Sequence, residues 1–283
     1  MKEMDYSNSL KVASVVWDEN LSNEIDCIKT LLEEIERTLY LCEKNLVNLV
    51  VFPPFIGSLF KTSDYFLERV LHLSLKYRIY LCPGSFYEKK NEETFHTSCL
   101  LKNGEILLWQ RQLYRAKWEC ELGLSQGTDI SNIFIEGIQV SIILSTDVFY
   151  PQVSRYTALA GADLVLSPTA VIGRHKPHRS DSIRGLWQNV QSNLFFGIES
   201  GYKGTFKGNV FSSHSAIHAP LVLTEQEDGF LAHERTLRSD EEKCLIIAEI
   251  NINERKRALE KTYNPLSQLN RKAYTNIFKK GLR

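Results

Sequence analysis

The sequence predicts an α/β protein folded as one domain, with mixed sheets and helices on their outer faces. Three observations carry this. The N-terminal part alternates apolar runs with helical periodicity in the order β-α-β-α-β. The middle holds two short turn signals, Asn103-Gly104 and Glu136-Gly137, each flanked by strand-like runs. No linker, repeat or low-complexity stretch interrupts the 283 residues.

Each element has its own signal. Residues 12–17 read as a first strand. From Ser22, a plausible cap, apolar residues recur at Ile25, Ile28, Leu31, Leu32, Ile35 and Leu39, the spacing of one helix face. Residues 46–52 are a nearly continuous apolar run stopped by Pro53-Pro54, which suits a strand covered on both faces. A second helix is expected over 64–76 and a third strand over 79–86. Runs at 97–101 and 106–112 flank Lys102-Asn103-Gly104-Glu105, and Asn-Gly there signals a type I′ hairpin, whose central residues both need positive φ. Strands at 134–135 and 139–144 form the next pair, followed by a helix at 151–160 and a strand at 162–166. Residues 183–200 read as one amphipathic helix, and Gly201, Gly204 and Gly208 mark a loop. Strands at 213–218, 229–234 and 245–250, a helix at 253–261 and a polar tail from about 264 complete the chain, with the core at about 11–257.

Composition narrows the function. Lys+Arg 34 balance Asp+Glu 34, so no long-range field draws a polyanion, and neither nucleic acid nor a membrane is an expected partner. No signal peptide or membrane-spanning run is evident, and a cytoplasmic location is expected. The cysteines Cys27, Cys42, Cys82, Cys99, Cys120 and Cys244 form no CxxC pair and read as buried thiols rather than a disulfide or zinc framework. No cofactor or metal is implied. His175 and His178 are separated by Pro177 and lack a completing ligand, and His214 and His218 share one face of the expected 213–218 strand without a clear metal partner.

Four stretches carry a family resemblance: LVNLVVFPPF (46–55), NGEILLWQRQLY (103–114), VSIILSTDVFYPQVSRYTALAGADLVLSPTA (140–170), and SSHSAIHAPLV (212–222) with IIAEINI (246–252). Over about residues 11–257 the chain resembles the nitrilase, or carbon-nitrogen hydrolase, superfamily. The third stretch is the most specific, through Asp147, Pro151, Arg155, Gly161-Ala162-Asp163 and Pro168. The resemblance implies an α-β-β-α sandwich. It also implies a homodimer built on the helices near 151–160 and 183–200, with Tyr156, Trp187, Phe195 and Phe196 as candidate interface residues.

Enzymes of that family use Glu, Lys and Cys as base, oxyanion-stabilising cation and nucleophile. All three positions differ here. Pro54 stands where the glutamate follows Phe-Pro, Gln112 where the lysine follows Arg, and Ser145 where the cysteine precedes the turn aspartate Asp147 by two residues. Proline cannot take a proton, glutamine brings no charge, and serine needs an activating base. Loss of the whole set is severe because its members act as a unit. Arg115 and Lys117 read as surface charges and Asp147 as a structural residue of the turn. Glu119 is the acidic group expected inside the former site, as against a solvated loop carboxylate.

The sequence therefore predicts a catalytically inactive homologue with a remnant pocket lined by Gln112, Glu119, Ser145 and Asp147. It would act by binding a small amide-like or carboxylate ligand, or a protein partner. An enzyme re-equipped around Ser145 and a structural subunit of a larger assembly are the alternatives. An open pocket would favour ligand binding and a filled one scaffolding.

Overall fold

The computed structural model describes residues 9–16, 28–172, 185–234, 245–261, 264, 266–267, 269–273 and 275–276. Ser22, Ile25, Trp17, His175, His178, Cys27 and Cys244 lie outside the described residues.

One sheet contains β1 (Ser9–Val15), β2 (Leu49–Val51), β3 (Tyr80–Cys82), β4 (Ser85–Lys90), β5 (Glu93–Lys102), β6 (Glu105–Arg111) and β15 (Leu245–Asn251). β1 and β2 pair in parallel, as do β2 and β3, and β15 closes against β1 antiparallel. The second sheet runs in the order β14 (Phe230–His233), β13 (Ala216–His218), β10 (Phe196–Gly201), β9 (Leu164–Thr169), β8 (Ile138–Ile142) and β7 (Asn132–Ile135). A separate hairpin joins β11 (Lys203–Phe206) to β12 (Asn209–Ser212).

Strand alternation sorts the apolar residues into three layers. Leu10, Val12, Leu49 and Val51 of the first sheet meet Val140, Ile142, Leu164, Leu166 and Ile198 of the second, forming the core between sheets. The opposite face of the first sheet, with Ala13, Val50 and Leu81, packs against α1 (Ile28–Lys44) and α2 (Ser63–Tyr77) through Leu31, Ile35, Phe66 and Val70. Val165 on the outer face of the second sheet packs against α4 (Pro151–Leu159) and α5 (Leu186–Asn193) through Val153, Ala158, Leu186 and Val190. The short α3 (Lys117–Glu121) follows β6, and α6 (Ile252–Lys261) follows β15. This is the α-β-β-α sandwich. No helix among the described residues is long and apolar enough to cross a membrane.

Both predicted turns have positive φ at their central residues, 52° and 79° at Asn103 and Gly104, and 47° and 80° at Glu136 and Gly137. Other expectations are corrected. The strand expected over 46–52 is only Leu49–Val51, because the backbone hydrogen bonds of Asn45 and Val47 still end α1. The strand expected over 79–86 divides at Pro83-Gly84 into β3 and β4, which both run along β5. The helix expected over 183–200 stops at Asn193. Leu194 takes a left-handed cap, and residues from Phe196 on pair with β9. At Gly197 a Cβ would stand 2.8 Å from Leu186 and 2.9 Å from Val190, so a glycine lets α5 lie on this strand. Phe195 and Phe196 are consequently core residues; Trp187 is half-buried and donates to the Asp228 carbonyl, and only Tyr156 of the proposed interface aromatics is exposed. The glycine loop is the β11–β12 hairpin. The strand expected over 213–218 begins at Ala216, so His214 is not on it.

Cys42, Cys82 and Cys99 are buried and in no disulfide, with burial pushing the Cys82 thiol up to about 11, whereas Cys120 is exposed.

Candidate functional site

Pro54 follows β2, Gln112 follows β6 and Ser145 follows β8, so all three stand just past strand ends. Phe52 still bonds the Cys82 carbonyl at the end of β2, and Pro53-Pro54 turn the chain inward. Gln112 immediately follows β6, with its N–H on the His96 carbonyl. Ser145 opens a short 3-10 helix between β8 and α4, with φ of 50°. Left-handed backbone at a non-glycine residue costs about 1 to 3 kcal/mol, so the turn at Ser145 is strained. The buried Ser145 hydroxyl has no hydrogen-bond partner.

Asp147 joins the Ser145 turn to the end of β6. Its carboxylate accepts the N–H groups of Leu113 at 3.0 and 3.1 Å and of Tyr114 at 2.8 Å. Burial nevertheless pushes its carboxyl up to about 7, opposed by those N–H groups and reinforced by the Glu119 charge. These contacts assign Asp147 a bracing role.

Glu119 is fully buried, and its carboxylate meets Gln112. Glu119 Oε2 accepts from Gln112 Nε2 at 2.7 Å and from the Ala116 N–H at 2.7 Å; Oε1 accepts from His96 Nδ1 at 3.1 Å. The Ala116 bond makes Glu119 the cap of its own short helix. Burial would raise its pKa, but the His96 hydrogen bond, the Ala116 N–H and the Gln112 amide together hold it below the usual glutamate range. Gln112 donates its second amide hydrogen to the Tyr114 carbonyl at 2.6 Å and accepts from His96. A neutral amide thus closes this network.

Rings fill the space above this network. Phe55, directly after Pro54, is completely buried with a left-handed φ of 68°. Its ring stacks on Phe206 at 4.4 Å and on His96 at 5.2 Å, and meets Trp118, Tyr202 and Phe211 at 5.8, 5.5 and 5.4 Å. The β11–β12 hairpin and the residues flanking it deliver Tyr202, Phe206 and Phe211 into this cluster. Gln112, Glu119 and Ser145 are each at most 2% exposed. Sequence reasoning missed Phe55, Ser85, His96 and the hairpin rings. No alternation could have announced His96, because residues 95–101 are buried on both faces of β5.

The remaining candidates lie apart from this network. Lys117 is exposed and pairs with Glu121, while Arg115 donates to the Leu124 carbonyl. His214 pairs with Glu234 and His218 with Glu199, at 2.6 and 3.0 Å. No group of three or more potential metal ligands occurs among the described residues.

The two layered sheets and the short turn at Ser145 define a nitrilase-type, or carbon-nitrogen hydrolase, fold. No protein-family model and no curated protein matches the sequence. Solved structures do match. The carbon-nitrogen hydrolase from Helicobacter pylori G27 superposes with a TM-score of 0.77 at 14% identity, covering 96% of this chain and 99% of that one. The amidase from Nesterenkonia sp. AN1, with the acetamide moiety of fluoroacetamide covalently added at its active site cysteine, gives 0.71 at 18% identity, covering 94% and 96%. Another mutant of that amidase, described as from the nitrilase superfamily, gives 0.70 at 18%, covering 89% and 96%. At such identities the likeness shows the fold.

Proposed function

We propose that this chain is a catalytically inactive protein of the carbon-nitrogen hydrolase fold, a single domain that acts through protein contacts as a structural or regulatory subunit. The observation that carries this reading is the filled aromatic cluster: Phe55, directly after Pro54, packs against the hairpin rings and stacks on His96, which is hydrogen-bonded to Gln112. Without an activating base, the unpartnered Ser145 hydroxyl is a poor nucleophile. The filling favours protein contact over the small amide-like or carboxylate ligand.

The homodimer belongs to the same proposal. Two surface cavities flank α4, one of about 610 Å³ that includes Phe149, Arg155 and Gln188, and one of about 540 Å³ that includes Ile130, Tyr156 and Leu159. Phe149, Tyr156 and Leu159 are exposed at 42%, 60% and 42%, enough apolar surface on α4 and the turn before it to support self-association.

The test is intact-mass spectrometry after incubation with fluoroacetamide, paired with sedimentation at micromolar concentration. No adduct and a dimer are expected. An adduct on Ser145 would overturn the inactive reading, and a monomer would overturn the dimer.

A further inference from the structure

Ser85, His96 and Glu119 form a hydrogen-bonded chain that ends on Phe55. Gln112 Nε2 donates to two acceptors, the Tyr114 carbonyl at 2.6 Å and Glu119 Oε2 at 2.7 Å, which fixes the amide with Oε1 facing His96. His96 Nδ1 therefore faces two acceptors, Gln112 Oε1 and Glu119 Oε1, and carries the proton. Nε2 is left as an acceptor for the Ser85 hydroxyl at 2.6 Å. Ser85 Oγ in turn accepts the Phe55 N–H at 2.8 Å. The donors and acceptors in this chain match with neutral imidazole and ionised Glu119.

We propose that Ser85, His96 and Glu119 are a latch that holds Phe55 in the former pocket. The inference rests on the filled-site reading proposed above. The latch fixes the left-handed backbone at Phe55, and that backbone aims the ring at Phe206 and away from the strand end. Serine, imidazole and carboxylate in this order match a nucleophile, its base and the group that orients the base. Here Ser85 is completely buried, and its oxygen already receives the Phe55 N–H. The chain consequently serves conformation rather than acyl transfer.

Hydrogen exchange tests the latch. In Ser85→Ala the Phe55 amide should exchange about tenfold faster or more, while amides within α2 keep their protection. Unchanged protection at Phe55 would overturn the latch. Should Ser85→Ala fail to fold, ring nitrogen chemical shifts of His96 in the unaltered protein decide: the Nδ1–H tautomer is expected, and the Nε2–H tautomer would overturn it. Labelling of Ser85 by a fluorophosphonate would also overturn it, by making Ser85 a working nucleophile. These readouts are independent of the fluoroacetamide experiment, so an adduct at Ser145 refutes the filled-site reading separately.

Discussion

Replacing Phe55 by alanine measures how firmly the former pocket is filled. The ring is completely buried and contacts other rings on several sides, with centroids from 4.4 Å at Phe206 to 5.8 Å at Trp118. Phenylalanine-to-alanine changes in packed interiors cost about 3 to 5 kcal/mol, through lost transfer energy and the cavity left behind. Alanine keeps the φ of 68°, so no strain is relieved, and a loss near about 4 kcal/mol is expected. Urea denaturation followed by fluorescence gives the value, provided the dependence on denaturant is unchanged. The space left is bordered by Tyr202, Phe206 and Phe211, and an apolar void of this kind stays dry and takes a small aromatic molecule. Benzene or indole should therefore raise the stability of Phe55→Ala and leave the unaltered protein unaffected. A loss below about 1 kcal/mol, with no response to either compound, would refute tight packing at this position.

Further predictions follow from other residues. Ser145→Gly should be stabilising by about 1 kcal/mol, since it relieves the φ of 50° and deletes an unpartnered buried hydroxyl; a loss of stability in thermal melts would contradict this. Burial raises the Asp147 carboxyl from 3.8 to about 7, so its contribution is complete below about pH 4 and is lost as pH rises through about 7, by at most about 4 kcal/mol. Asp147→Asn should remove that slope from stability measured between pH 4 and 8, and an unchanged slope would exclude Asp147 as its source. Arg255→Ala should cost about 3 kcal/mol in urea denaturation, because Arg255 Nη1 lies 2.7 Å from Asp163 and its Nε holds the Leu194 carbonyl in a largely buried pair; a change under about 1 kcal/mol would count against it. Ser145→Cys alone should hydrolyse no simple amide, nitrile or carbamoyl compound, and adding Pro54→Glu and Gln112→Lys should restore turnover only when Phe55 is also shortened; turnover by Ser145→Cys alone would sink the argument.

Much of the fold was legible because its signals are local. Two-residue turns at Asn103-Gly104 and Glu136-Gly137 and the period of α1 are properties of adjacent residues, and they reappear with the expected geometry. The error at 183–200 has a physical cause: Leu194 to Ile198 is apolar enough to continue a helical stripe, and only pairing with β9 turns it into a strand. The division of 79–86 depends on Gly84, with φ of 84° and a Pro53 carbonyl 2.0 Å from where its Cβ would lie. That contact is tertiary, although Pro83-Gly84 within the segment is itself a turn signal.

The sequence alone points to Pro54, Gln112 and Ser145 through the family resemblance and is silent on the packing around them. The filling depends on residues far apart in sequence, with Phe55 meeting Phe206 and Phe211, and His96 meeting Glu119. A working site of this chemistry keeps a base, a cation and a thiol partly unsatisfied until substrate arrives, which leaves buried polar groups at a cost. Here the cation position holds an amide whose donors and acceptor are all engaged, and Glu119 gains His96 as a third donor. The Ser145 hydroxyl and its left-handed turn remain uncompensated. Asp147 holds that turn to the end of β6, and the sheet connection needs it whatever residue stands at 145. The strain at Ser145 therefore persists because the same backbone joins β8 to α4.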